Sequence, residues 1–377
     1  MPDERIYLDG NSLGPPAPGT DDVIGAVVRD EWASDLIGAW NDRGWWELPI
    51  AVGDQAAPLL GAAPGQVVVG DSTTVSWFKA VGAALRLRPD RHRIVTQTGG
   101  FPTDRHVLDA LDADVTGVEA DELGAAIDDA TAVVALSHVD YRTGRRLDLP
   151  VLTATAHEHG AIAVWDVCHS VGAMDLHLDD DGVDLAVGCT YKYLNGGPGS
   201  PALTYVAARH LPDIQQPIPG WVGHAEPFSM SEQHVPAAGV RRMLSGTPSV
   251  LALRALEHAL RQFDGVDLAE LRRTGTRLTD RAIQHADALG LEVITPRDPA
   301  KRGSQISLRH DHAWEVVQAL IAVRVVGDHR PPDLLRFGFA PLYTTDDDVD
   351  QAFARLAEVL RTGSWRSWLD APRPTVT

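Results

Sequence analysis

Between residues 67 and 206 the chain alternates short, unbroken apolar runs with stretches whose apolar residues recur every three or four positions. The runs predict strands at 67–69, 93–96, 132–137, 161–166, 183–188 and 201–206, and the periodic stretches predict helices at 73–87, 103–111 and 151–159. Strands that are apolar along their whole length are buried on both faces of a mostly parallel sheet, so the alternation predicts an α/β, doubly wound unit. Ligands of such sheets bind beyond the carboxyl ends of the strands. After Pro248 the pattern changes to a helix-rich stretch over 250–288, short strands near 291–295, 305–308 and 335–339, and a closing helix near 347–360. This predicts a second, smaller α+β unit, with which the first residues, up to about Trp40, are expected to pack. The expected division is a large unit at 41–248 and a small one made of 1–40 and 249–377.

Composition narrows the function classes. The 377 residues exceed one simple domain, and 44% hydrophobic with 23% charged residues is an ordinary globular balance. The net charge of −19, from 33 basic and 52 acidic residues, leaves no electrostatic footprint for nucleic acid or an anionic membrane, though a local basic pocket for a small anion is compatible with it. Cys168 and Cys189 are too few for a disulfide framework or a cysteine-built zinc site. The charged start Met1 to Arg5 leads into no apolar core segment, and no run approaches the roughly 20 apolar residues of a membrane span, so a cytoplasmic protein is expected.

Four motifs sit at predicted strand ends, in chain order. Gly70-Asp71-Ser72-Thr73-Thr74 joins a strand to a helix, where hydroxyls and free N–H groups suit a phosphate. Phe101-Pro102-Thr103-Asp104 offers an aromatic ring that could stack on a planar cofactor. Asp166, ending a strand three positions before His169, could keep a pyridine nitrogen protonated. Lys192 lies in a Gly- and Pro-rich loop at 190–199, too irregular for a helix. Burial lowers the pKa of an amine, and a neutral amine attacks an aldehyde to form a Schiff base. Each motif alone has an ordinary reading: a capped helix, a core phenylalanine, an N-cap aspartate, a solvated lysine. Their coincidence at successive strand ends favours one ligand crevice.

These residues resemble kynureninase, within the fold-type-I pyridoxal-phosphate enzymes of the aminotransferase class V superfamily. The resemblance runs from Tyr7-Leu8-Asp9-Gly10-Asn11-Ser12-Leu13-Gly14 to Arg336-Phe337-Gly338-Phe339-Ala340-Pro341-Leu342-Tyr343, through Tyr141-Arg142-Thr143-Gly144, Gly220-Trp221-Val222-Gly223-His224 and Leu244-Ser245-Gly246-Thr247-Pro248. It implies that Lys192 is the Schiff-base lysine, that Asp166 pairs with the pyridine nitrogen and that His169 lies beside the ring. Phe101 would stack on the ring and Asp104 would lie near its polar edge. Thr73, Thr74 and Tyr191 would hold the phosphate, with Trp221 and Thr247 reaching it from the second subunit of a homodimer. Arg336 would clamp the substrate carboxylate, a task suited to a guanidinium fork; Asn11, Trp46 and Gly246 would complete the substrate site. The implied reaction, in tryptophan catabolism by the kynurenine pathway, is hydrolysis of L-kynurenine or a ring-substituted kynurenine to an anthranilate and L-alanine. Lys192 would move the Cα proton, with Tyr191 as a later donor.

Other signals point elsewhere. Gly10-Asn11-Ser12-Leu13-Gly14 matches the nucleophile elbow of a serine hydrolase, but Pro15, Pro16 and Pro18 oppose the helix that the elbow requires. The pairs His157/His159 and His310/His312 lack zinc-motif spacing, and the Asp179–Asp181 and Asp346–Asp348 runs lack EF-hand spacing. A cysteine desulfurase needs a cysteine on a mobile loop, and none follows Cys189. An aminotransferase on the same fold is harder to separate, because fold does not fix function. A non-enzymatic relic would have lost Lys192, Asp166 or Arg336.

Overall fold

The computed structural model describes residues 5–373; Met1 to Glu4, on which part of the reading of the N-terminus rests, lie outside the described residues. Seven strands form the main sheet: β1 (Val67–Val69), β2 (Arg93–Gln97), β3 (Asp114–Val118), β4 (Thr131–Ser137), β5 (Ile162–Asp166), β6 (Leu185–Gly188) and β7 (Leu203–Val206). Their order is β1-β7-β6-β5-β4-β2-β3, with β7 antiparallel to both neighbours and the remaining pairs parallel. The unbroken apolar runs have the predicted cause. In β4, Val134 and Leu136 enter one core while Val133 and Ala135 enter another, so both faces are buried.

Helices cover both faces: α1 (Leu48–Ala56), α2 (Thr73–Arg86), α3 (Pro102–Asp109), α4 (Leu149–Glu158) and α5 (Val250–Leu260). Ser72 caps α2 by accepting from Val75 N at 3.4 Å. Leu253, Leu256 and Leu260 of α5 join the core formed by α1 and one face of the main sheet. The edge strand β3 was not visible in the sequence because it is half-exposed and broken by Gly117, so it has no continuous apolar run. Helix α1 was hidden by Pro49, which is tolerated because it sits in the first turn.

A second sheet has four antiparallel strands, β8 (Glu292–Val293), β9 (Gln305–Arg309), β10 (Asp328–Arg330) and β11 (Leu334–Gly338), in the order β10-β11-β9-β8. With α6 (Leu268–Ala288), α7 (Ala313–Ala322) and α8 (Asp346–Thr362) it builds a separate core around Leu278, Ile306, Phe337 and Phe353. Ile6 and Leu8 enter this core, and Ile6–Tyr7 pairs in parallel with Val325–Val326. By contrast, Thr20–Ala26 packs against α5. Among the described residues no helix is long and apolar enough to cross a membrane, and no cluster of three metal-ligating side chains occurs.

Candidate active site

The carboxyl ends of β5 and β6 carry the lysine and the aspartate to one place. After β6 the chain turns through Cys189–Gly199, and Lys192 Nζ lies 3.3 Å from Nε2 of His169 and 6.0 Å from the centroid of the Tyr191 ring. The loop is pinned from inside, by Asn195 N donating to Lys192 O (3.0 Å), and from outside, by Gly14 N donating to Tyr191 O (2.7 Å). A Cβ on Gly14 would strike both Lys192 O and Asn195 Oδ1, so only glycine allows this approach.

Asp166 ends β5 with 6% exposure, and its Oδ1 accepts from Cys168 N at 2.6 Å. Asp104, in the first turn of α3, hydrogen-bonds to it. Burial first, then the charge of Asp166, pushes the Asp104 carboxyl well above the usual carboxylate range, so Asp104 holds a proton against Asp166. Burial, reinforced by the positive charges of Lys192, Arg336 and Arg330, pushes His169 well below the ordinary imidazole range. His169 is therefore neutral beside Lys192, and its ring hydrogen-bonds the backbone of Asn11. Burial, then the neighbouring thiols Cys189 and Cys168, raises Tyr191, which stays a phenol. Phe101 is 42% exposed at the N-cap of α3, edge-on to Tyr141 at 5.3 Å, and shares with Asp104 and Trp77 a cavity of about 220 Å³.

A second cavity, of about 200 Å³, lies between Gly70–Ser72 and Leu244–Ser249, with Gly199 of the lysine loop on its wall. Gly246 and Thr247 of this chain thus face the turn that precedes α2. Thr73 Oγ1 is buried with no hydrogen-bond partner, and Thr74 is exposed. An orphaned hydroxyl in the first turn of a 14-residue helix is a vacant donor for an anion.

Arg336, on β11, is 1% exposed. Its Nη1 donates to Tyr141 O (2.6 Å) and its Nη2 to Ser12 Oγ (2.7 Å), while Nε and Nη2 grip Asp328. Arg330 Nη2 also reaches Asp328, at 2.6 Å, and Ser12 Oγ, at 3.3 Å. Ser12 lies in a turn between two guanidinium groups rather than on a strand–turn–helix elbow, which removes the basis of the serine-hydrolase reading. Asn11 is fully buried, 3.1 Å from Gln305, and a Cβ on Gly338 would strike it. Trp46 stands apart from this group, its ring 5.3 Å from Trp221, 5.5 Å from Phe228 and 5.5 Å from the guanidinium of Arg241. Cys168 and Cys189 are both buried beneath the lysine loop, unlike a thiol on a mobile loop.

The sequence reading passed over Asp328, Arg330 and Lys79. The signal for Lys79 was available: it is a lysine on the otherwise apolar face of α2, beside Trp77, Ala80 and Ala83. Asp328 and Arg330 carried none, since a strand of three residues has no period to read.

The donor set fits pyridoxal phosphate. It combines a lysine beside a neutral imidazole, a buried carboxylate backed by a protonated one, and an unpartnered hydroxyl at a helix start. Residues 271–356 match the model of the kynureninase C-terminal domain. The chain is 46% identical to the kynureninase of Deinococcus radiodurans over 374 residues, covering 96% of this chain and 91% of the relative. It is 43% identical to the kynureninase of Pseudomonas fluorescens over 393 residues, covering 100% of this chain and 94% of the relative. Among solved structures it is similar to a cysteine desulfurase from Thermococcus onnurineus, with TM-score 0.79, 17% identity and 95% of each chain covered. It is also similar to a C-DES variant with glycine covalently linked to the PLP cofactor, with TM-score 0.80, 17% identity and 94% and 97% coverage. At such identities the two structures speak for the fold, a pyridoxal-phosphate enzyme architecture with a mostly parallel sheet.

Proposed function

The chain belongs to the kynureninase family, and on that premise we propose how its residues share the pyridoxal-phosphate-dependent hydrolysis of a carbon–carbon bond in kynurenine. One observation carries the assignment: Lys192 Nζ stands 3.3 Å from a neutral His169, where β5 delivers Asp166 and α3 delivers Asp104 against it. Lys192 is the lysine that holds the cofactor and later moves the Cα proton. Phe101 would pack on the cofactor ring, and Thr73, Thr74 and Tyr191 would bind its phosphate. Once bound, the cofactor would supply an electron-accepting ring.

The remaining chemistry belongs to side chains. Asp166, steadied by the proton on Asp104, keeps the pyridine nitrogen protonated. Arg336 presents its Nη1 and Nη2 edge to the substrate carboxylate, with Asn11 packed behind it. One water is consumed: its oxygen ends in the anthranilate carboxylate, and a proton ends on Cβ of alanine. Tyr191, kept as a phenol by burial, is the donor for that proton. Lys192 and neutral His169, in contact, can pass a proton between them.

Trp46 and Gly246 contribute to the site for the aromatic ring of L-kynurenine or a ring-substituted relative. We assign the protein to the cytoplasm as a homodimer in which Trp221 reaches the partner's phosphate site, while Thr247, expected to do the same, faces the turn before α2 of its own chain. The exposure of Trp221, Phe228 and Met230, at 41%, 70% and 76%, supports a covered face there. The division at 41–248 against 1–40 with 249–377 is supported by the separate core around the second sheet, with α5 packed across the boundary. The deciding experiment is release of anthranilate and alanine from L-kynurenine, run beside 3-hydroxykynurenine and the Lys192→Ala variant. Equimolar products, abolished in the variant, support the assignment; product formation undiminished in Lys192→Ala sinks it.

A further inference from the structure

Lys79 lies on the buried face of α2, 2% exposed, with Trp77, Ala80, Val81 and Ala83 of the same helix in the surrounding core. A lysine there gives up its hydration and survives only if its ammonium is fully engaged. The ammonium donates to Asp71 Oδ2 at 2.5 Å and to Met243 O at 3.0 Å. Asp71 belongs to the turn Gly70–Ser72 that lines one side of the cavity of about 200 Å³, and Met243 immediately precedes the stretch from Leu244 that lines the other. One buried charge thus ties together both sides of the cavity.

Asp71 explains why a charge is needed. It adopts φ +54, the left-handed region that side chains other than glycine, asparagine and aspartate rarely enter. Its backbone is pinned by Ala202 N donating to Asp71 O and by Gly70 N donating to Ala202 O, both at 2.9 Å. This turn leads directly into the N-cap Ser72 and the first turn of α2, where Thr73 Oγ1 is buried without a partner. It also leaves a carboxylate one residue before the helix cap, where it would repel an incoming phosphate and compete for the N–H groups of the helix start. Lys79 draws that carboxylate toward the core and cancels its charge.

We propose that Lys79 is a positioning residue for the cofactor phosphate, acting through Asp71 to make the start of α2 receptive to a dianion. The proposal rests on the reading that Thr73 and Thr74 bind that phosphate. A purely structural staple would affect the whole cofactor equally, whereas this role concerns the phosphate alone. The readout is therefore a phosphate preference: the dissociation constant for pyridoxal divided by that for pyridoxal 5′-phosphate, measured on apoprotein by tryptophan quenching.

Lys79→Met is expected to lower this preference by roughly tenfold, the weight of one charge-assisted interaction. Asp71→Asn removes the repelling carboxylate, leaves the ammonium in place, and is expected to raise the preference. If Lys79→Met does not fold, Asp71→Asn decides alone. A preference that stays at the wild-type value or falls in Asp71→Asn, or stays unchanged in Lys79→Met, overturns the proposal. The double variant Thr73→Val with Thr74→Ala tests the underlying reading separately. If its preference equals that of the wild type, the phosphate lies elsewhere; if it drops while Lys79→Met does not, only the role of Lys79 fails.

Discussion

Arg336 and Asp328, 1% and 2% exposed, meet in a fork: Nε donates to Oδ1 at 2.8 Å and Nη2 to Oδ2 at 2.5 Å. One edge of the guanidinium is thereby taken, and the other, Nη1 with Nη2, faces Tyr141 O and Ser12 Oγ. That second edge, held by two neutral oxygens, is the one a substrate carboxylate would take over. Lysine cannot hold Asp328 and a second carboxylate in two parallel pairs. Arg336→Lys should lower kcat/KM for L-kynurenine by about 10- to 100-fold, chiefly through KM, as expected from losing one charged hydrogen bond. Steady-state kinetics with saturating cofactor checks this. A rise in KM of less than about twofold would move the carboxylate site elsewhere.

Removing the other half of the fork should act on stability as well. Asp328→Ala leaves the guanidinium groups of Arg330 and Arg336 facing each other, with Arg336 buried and uncompensated. Loss of one partner from a buried pair costs about 3–5 kcal/mol. Urea unfolding of the variant should show a loss of that order, and Asp328→Asn a smaller one.

Asp9, near the same pair, gives a pH dependence of known sign. Burial, then the charge of Asp328, pushes its carboxyl up to about 7, against the ordinary 3.8. A raised carboxyl binds its proton more tightly in the folded state, so its stabilising contribution is full below pH 3.8 and is lost as pH rises through 7. Asp9→Asn keeps the neutral form at every pH. At pH 8 it should be more stable than the wild type by about 1–3 kcal/mol, and at pH 4 the two should converge. Chemical denaturation at the two pH values is the check.

The parts of this architecture that were legible share a physical origin. Strands buried on both faces must be apolar throughout, so β4 and β5 announced themselves, and the site followed because crevices lie at the ends of such strands. Asp166 and Lys192 could be placed in this way. The edge strand β3 and the strand β10 escaped because half-exposure and short length erase periodicity. The pairing of Arg336 with Asp328 escaped for another reason: it joins neighbouring antiparallel strands in register, and register depends on the fold as a whole. The expected clamp at Arg336 came from family resemblance, since no spacing in the chain encodes that role.

The cluster of Trp46, placed by the proposed reading at the aromatic end of the substrate, with Trp221 and Phe228 should set ring preference only weakly. Its rings lie 5.3 to 5.9 Å apart and offer mainly faces and edges, and one extra group on a bound ring changes apolar selectivity by about 10- to 200-fold at most. Trp46→Ala should therefore lower kcat/KM for both L-kynurenine and 3-hydroxykynurenine while changing their ratio by less than about tenfold. Parallel assays of the two substrates test this. A ratio that inverts strongly would show that Trp46 reads the ring substituent directly.

Acid stability should be governed by Asp184, 2% exposed just before β6. Burial alone would raise its carboxyl, but it accepts from His157 Nε2 (2.8 Å), His210 Nε2 (2.7 Å), Ala163 N (2.8 Å) and Arg209 Nη2 (2.6 Å). These donors hold it well below the carboxylate range. A depressed carboxyl works oppositely to Asp9: its contribution is present above pH 3.8 and disappears as pH falls further. Asp184→Ala strands two imidazoles, a guanidinium and a strand N–H, at a cost of about 3–5 kcal/mol near neutrality. The two aspartates together predict wild-type stability that rises with pH below 3.8 and declines toward 7. In Asp184→Ala the acid limb should flatten while the upper limb persists, and in Asp9→Asn the reverse should hold. Denaturation midpoints between pH 3 and 8 for the three proteins separate the limbs, and an acid limb unchanged in Asp184→Ala would assign acid unfolding to other carboxylates.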